Sequence, residues 1–148
     1  MCNQADSAWV RDLIERRQYI FLATSGEGGP WVAPIEPIAH EDLSFYFFST
    51  SEARHSRDIE AGSKIAAVMF YPEQPQYTPT RTANLNAVQI ECTGRKLDPS
   101  EYNEAVRGAI EFLDPPMPPY EVFMLTPNRF YVPALEDGVN TRYEVHMD

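Results

Sequence analysis

The chain of 148 residues is short of cysteine, of basic side chains and of long apolar runs. Its two cysteines, Cys2 and Cys92, are too few and too isolated for a disulfide framework or a zinc site. Both read as reduced thiols, with Cys92 buried in a strand, and no metal site is expected. No apolar run approaches the ~20 residues that span a bilayer. The opening stretch "MCNQADSAWVRD" lacks the basic-then-apolar order of a secretory signal, so a cytoplasmic protein is expected. Lys and Arg total 12 against 22 Asp and Glu, for a formal net charge of -10. That balance argues against nonspecific nucleic-acid binding and against docking on anionic membranes, both of which need clustered cations. Its first meaning is solubility, and an anionic small molecule remains open only where the local field is positive. No Ser-His-Asp, paired-carboxylate or Cys-His arrangement offers catalysis of its own, so no catalytic residue is assigned.

What is present is a chain of 43% apolar residues, enough for one domain over residues 1–148 with one real core. Helical spacing runs over residues 7–17, with Trp9, Val10, Leu13 and Ile14 on one side and Asp6 or Ser7 as cap. "YIFLAT" (19–24) reads as a buried strand, "SGEGGP" (25–30) as a hairpin turn, and "WVAPIEPIAH" as the returning strand. Pro34 and Pro37 cannot donate to a ladder, so this strand has an unpaired side or a bulge. "LSFYFFS" (43–49) and "KIAAVMFY" (64–71) are further strands, the second apolar on both faces. A polar, proline-rich loop (72–84) follows, then a long fifth strand over 85–97. Asp98 as cap, Pro99 at the first position and Glu101 closing a capping box predict a helix over 98–113. Its apolar stripe is Tyr102, Ala105, Val106, Ala109, Phe112 and Leu113. "YEVFMLT" and "RFYVPA" read as a hairpin about Pro127–Asn128, and "TRYEV" as a last extended piece. The sum is a mainly β protein: a six- to seven-stranded antiparallel barrel with about three flanking helices.

The stretch "FFSTSEARHSRDIE" (47–60) carries the chemistry. Ser49 and Glu52 have capping-box spacing, predicting a helix over 50–61 closed by Gly62. Hydroxyls at Ser49, Thr50 and Ser51, free N–H groups of a first helical turn, and the Arg54 guanidinium together suit a phosphate. His55 adds a donor whose charge depends on pH. The same residues have plainer readings: Arg54 pairing with Asp58 one turn along, and His55 as a structural side chain beside the core.

The order of elements resembles the pyridoxamine 5'-phosphate oxidase-like family of FMN-binding split barrels over nearly the whole chain. The likeness runs through "FLAT", the Gly-rich turn, "WVAPIEPI", "LSFYFFSTSEARHSRDIEAGSKIAAVMF", "AVQIECTGRKLD" and "FMLTPNRFYV". It implies a homodimer holding FMN in clefts between subunits and a flavin-dependent oxidoreductase acting on a small molecule. Carried over by position, Thr50 and Arg54 match residues that hold the FMN phosphate, with Ser49 ending the same strand and His55 beside them. Pro34 and Ile35 lie on the strand that borders the flavin ring, and Gln89 on the one that adds a further contact. Two departures stand out: His55 replaces a Lys, and Ala53 replaces a Ser, so one fixed charge and one hydroxyl are missing. The resemblance also implies that pyridoxamine phosphate is not the substrate, because the C-terminal tail offers only Arg142 and His146. The other class of function left open is a non-enzymatic split-barrel binding or regulatory protein that has lost the flavin, with haem a more distant occupant.

Overall fold

A computed structural model describes residues 4–15, 19–39, 42–70, 87–113 and 119–147. The proline-rich loop with Tyr77 and Arg81, together with Cys2 and His40, lies outside them. The described elements are α1 (Gln4–Glu15), β1 (Ile20–Gly26), β2 (Gly29–Ile35), β3 (Ile38–Ala39), β4 (Phe45–Ser49), α2 (Arg54–Glu60), β5 (Ile65–Phe70), β6 (Ala87–Lys96), a 3-10 turn (Pro99–Glu101), α3 (Glu104–Ile110), β7 (Glu121–Glu136) and β8 (Val139–Val145). Among the described residues no helix is long and apolar enough to cross a membrane.

All pairings are antiparallel. The strands run β2-β1-β5-β6-β7-β4-β3, with β8 added on β7. The two ends of that path, β2 and β3, are consecutive in the chain and separated only by Glu36 and Pro37. A join this short forces the sheet to roll until its edges meet. The edges do not zip into one ladder, because Pro34 and Pro37 have no N–H to offer. The result is the expected barrel with a split, and "WVAPIEPIAH" is two strands rather than one.

Among the described residues the split barrel has two cores. Phe45, Phe47, Leu22, Met69, Ile90, Phe123 and Leu125 fill the main one, and Val10 and Ile14 of α1 and Ile59 of α2 pack into it. Phe47 and Phe123 stack at 5.4 Å between ring centroids. The opposite face of β4 and β7 carries Tyr46 and Val122, covered by Leu97 and by Val106 of α3. The alternation of Phe45 and Phe47 against Tyr46 and Phe48 is thus realised as two different cores. Cys92 is buried, and burial pushes its thiol up to about 12.

Four local expectations are corrected. There is no hairpin at Pro127–Asn128: β7 is one strand of 16 residues. Its register against β6 shifts between Glu91 and Cys92, which face Arg129 and Pro127, leaving Asn128 as a bulge. A bulge accommodates a proline inside a ladder as well as a turn would. The hairpin lies further on, at Asp137–Gly138, whose positive φ values of 49 and 77 define the turn that joins β7 to β8. Second, the helix expected over 98–113 is split. The Asp98–Glu101 capping box forms on the 3-10 turn. Asn103 then caps α3 by accepting from the Val106 amide, and two caps so close together make two short elements. Third, α2 starts at Arg54 with Ala53 as an uncapped N-cap, so the Ser49–Glu52 box does not form. Gly62 does close it, at φ 86, with its amide on the Ile59 carbonyl and the Ser63 amide on the Asp58 carbonyl. Finally, α1 begins at Gln4, ahead of the expected caps.

α2 is tied to the β1–β2 hairpin by a buried bond, Thr24 Oγ1 donating to Asp58 Oδ2 at 2.7 Å. A Cβ on Gly26 would stand 1.9 Å from Asp58 Oδ1. Because Asp58 is buried and already bonded, it has little freedom to retreat. Gly26→Ala is therefore expected to lower the unfolding free energy by about 1–3 kcal/mol, measured by urea titration, whereas Gly138→Ala would act through its turn alone.

Candidate functional site

The split opens into a cleft of about 780 Å³, within the usual range for small-molecule sites. One wall is the proline-bearing bend, Pro34 to Ile38. A second is Phe48 and Ser49 at the end of β4, with His55 from α2. The third is the small-residue face of α3, Ala105, Gly108 and Ala109, with Phe112 at the mouth. Four positions expected to serve a cofactor, Pro34, Ile35, Ser49 and His55, therefore meet in one place.

Their polar end is a hydrogen-bonded cluster. His55 Nε2 lies 3.0 Å from Ser49 Oγ, and Ser56 donates its hydroxyl to the same Ser49 oxygen at 2.9 Å. Ser56 is fully buried and Ser49 nearly so, while the imidazole reaches the cleft. The Phe47 ring holds the imidazole from the core side, at 5.9 Å and tilted. Burial pushes His55 below its ordinary value of 6.5, and the Asp58 carboxylate partly opposes that. The net shift favours the neutral imidazole.

Arg54 and Gln89 lie elsewhere. The Arg54 guanidinium donates to the Gly28 and Gly29 carbonyls and stacks over Trp31 at 4.6 Å from the ring centroid. It braces the β1–β2 turn and is absent from the cleft lining, and it does not pair with Asp58, which is bonded to Thr24. Gln89 is exposed on the outer face of β6, in a shallow depression with Val32, Val68 and Tyr131. The Thr50 carbonyl closes the turn into α2 by accepting from the Ala53 amide, and its side chain does not line the cleft. Ser51 gives its hydroxyl to the Glu121 carboxylate. α2 has only seven residues, so the macrodipole expected to help an anion contributes little, and recognition falls to side chains.

The residues fit a flavin in part. Pro34, Ile35, Ile38 and Phe48 make an apolar bed for a planar ring, and the Ser49–His55 cluster offers donors for a polar end. The fixed cation is missing: among the described residues, the charged groups lining the cleft are Glu36 and Glu104. The α3 wall escaped the sequence reading. Ala105 and Ala109 belong to the expected apolar stripe, yet the core face of α3 is Val106, while Phe112 is 87% exposed. The available signal was the pattern of small residues at 105, 108 and 109, which leaves room beside a helix.

This architecture is that of a split-barrel protein. The chain belongs to the pyridoxamine 5'-phosphate oxidase family, which residues 8–132 match. Among solved structures, the chain is similar to a protein related to general stress protein 26, of the pyridoxinephosphate oxidase family, from Clostridium acetobutylicum (12% identity, 97% of this chain and 96% of that one, TM-score 0.63). It is also similar to general stress protein 26 from Bacillus anthracis (16%, 95% and 100%, TM-score 0.62). A third is HutZ, the heme storage protein from Vibrio cholerae (16%, 86% and 92%, TM-score 0.63). At these identities the likeness establishes the fold alone. No curated protein sequence matches the chain.

A histidine held below its unfolded value destabilises the fold once the unfolded chain takes up the proton that the folded one refuses. The His55 contribution is therefore fully present above pH 6.5 and declines as pH falls through that value. Unfolding midpoints of ligand-free protein from about pH 8 to about pH 5 should fall more for the wild type than for His55→Gln. Parallel curves would show that the imidazole is not desolvated.

Proposed function

We propose that this chain is an FMN-binding member of the family, a flavin-dependent oxidoreductase acting on a small molecule and working as a homodimer. The observation that carries the reading is the cleft at the barrel split, where Pro34, Ile35, Ser49 and His55 converge. A bound flavin would supply hydride transfer. The chain's own residues do the rest. The bend at Glu36–Pro37 keeps an unladdered strip of backbone beside the ring, Phe48 and Ile38 exclude water, and the Ser49–His55 cluster orients the polar end. Pyridoxamine phosphate is a poor candidate substrate, because the Arg142 guanidinium in β8 is stacked on Tyr131, 5.0 Å from the ring centroid.

The outer face of β1, β2, β5 and β6 supports the dimer. Val32 is 60% exposed and Ala66 is also open to solvent, beside the half-buried Phe21, Ala23 and Val68. An apolar sheet face of this kind is normally covered. Val32→Glu should shift the sedimenting species from dimer to monomer, while a wild type that sediments as a monomer removes the assembly from the proposal.

A second reading, a non-enzymatic binding protein, is favoured by one observation: the described lining lacks Lys and Arg. Haem is a candidate occupant, given the fold shared with the Vibrio cholerae heme storage protein. The two readings separate on the visible spectrum of purified protein and on titration with FMN and haem. FMN bound at micromolar affinity supports the flavin, whereas haem bound with no flavin uptake supports the second reading. Gly108 lines the cleft with open space about it, and a glycine inside a helix costs about 0.5–1 kcal/mol relative to Ala. Gly108→Leu should keep or raise the thermal midpoint while weakening ligand binding by roughly tenfold or more. Unchanged affinity would remove the cleft as the site.

A further inference from the structure

Resting on the flavin reading above, we infer that the polar end of the cleft is a proton-gated anion site: His55 with Ser49 and Ser56 accepts a phosphate-bearing ligand by taking up a proton as it binds. Three observations point to it. The cleft's described lining lacks any fixed cation, so an anion entering it meets no standing positive charge. Among the described lining residues the only ionisable nitrogen is that of His55. That nitrogen is wired through Ser49 Oγ, at 3.0 Å, to Ser56 Oγ, 2.9 Å further on.

The wiring makes the proton do two things. In the tautomer with the proton on Nδ1, Nε2 accepts from the Ser49 hydroxyl, whose oxygen accepts from Ser56 and lies 3.4 Å from the Thr50 carbonyl. When Nε2 carries a proton, it becomes the donor and Ser49 oxygen the acceptor. The Ser49 hydrogen then turns either to the Thr50 carbonyl, 3.4 Å away, or to a ligand oxygen, so from that tautomer one proton both creates a cation and releases a hydroxyl.

The groups around His55 are consistent with this. Phe47 from β4 and Phe48 in the same wall are apolar. Glu36 from the β2–β3 bend and Glu104 from α3 share the lining, with Tyr120 ahead of β7. Asp58 lies one turn along α2 and draws the imidazole's proton affinity up against burial. Arg54, the neighbouring cation, is committed to the Gly28 and Gly29 carbonyls. The two glutamates oppose an anion whether or not His55 is protonated, and the imidazolium is the charge among the described lining groups that offsets them.

FMN and riboflavin, which differ by the phosphate, are the probes. Calorimetry near neutral pH in two buffers of different ionisation heat should show net proton uptake approaching one per FMN and none for riboflavin. The FMN-to-riboflavin affinity ratio should rise by roughly tenfold or more as pH is lowered from about 7.5 to about 5.5. Titration of the ligand phosphate, with its second pKa near about 6, removes charge from FMN in that range and acts in the opposite direction. His55→Lys, which supplies a permanent cation, should bind FMN at neutral pH without the uptake and with a flattened ratio. FMN and riboflavin binding with the same pH dependence and no proton uptake would overturn the gate and leave the flavin site standing. If neither flavin binds at any pH, the flavin reading fails and the gate falls with it.

Discussion

The molecule depends on the geometry of Glu36 and Pro37. These two residues join the strands at opposite ends of the sheet order, so the sheet has to close on itself. Pro34 and Pro37 deny the closing edge its donors, so closure stops short of a continuous ladder. A barrel that closed fully would fill its seam with main-chain bonds. This one leaves a seam with apolar side chains on one bank and the small face of α3 on the other. The cleft is thus a product of backbone chemistry, and its residues are drawn from four separate stretches of chain.

Charge is distributed in an unexpected way around that seam. In a chain of net charge -10 each arginine matters, yet Arg54 is used to brace a hairpin turn and stack on Trp31. Arg95 and Lys96 are held by Glu101 and Glu60 on the surface. What reaches the cleft is an imidazole depressed by burial and tied to two hydroxyls. An imidazole in that place differs from a fixed cation in that its charge depends on pH.

Much of the fold was legible because its signals are local. The Gly-rich hairpin between β1 and β2, the aromatic alternation of β4, and the Asp98 capping box are all short-range chemistry, and each formed as read. The misreadings share a cause. Pro127–Asn128 has turn composition, but the ladder with β6 absorbs it as a bulge. Ser49 and Glu52 have capping spacing, but Ser49 is recruited by His55 and Ser56. In each case a tertiary partner competed with the local preference and won.

The sequence by itself determined the family and the antiparallel barrel with its flanking helices, since these follow from element order and residue type. Only the tertiary structure decided which way the charged groups turn and what lines the far wall. Arg54 is drawn to the Gly28 and Gly29 carbonyls and the Trp31 indole, and nothing in its neighbours along the chain announces them. The small face of α3 becomes a binding wall only because Val106, on the adjacent face, is the side chain that the second core buries.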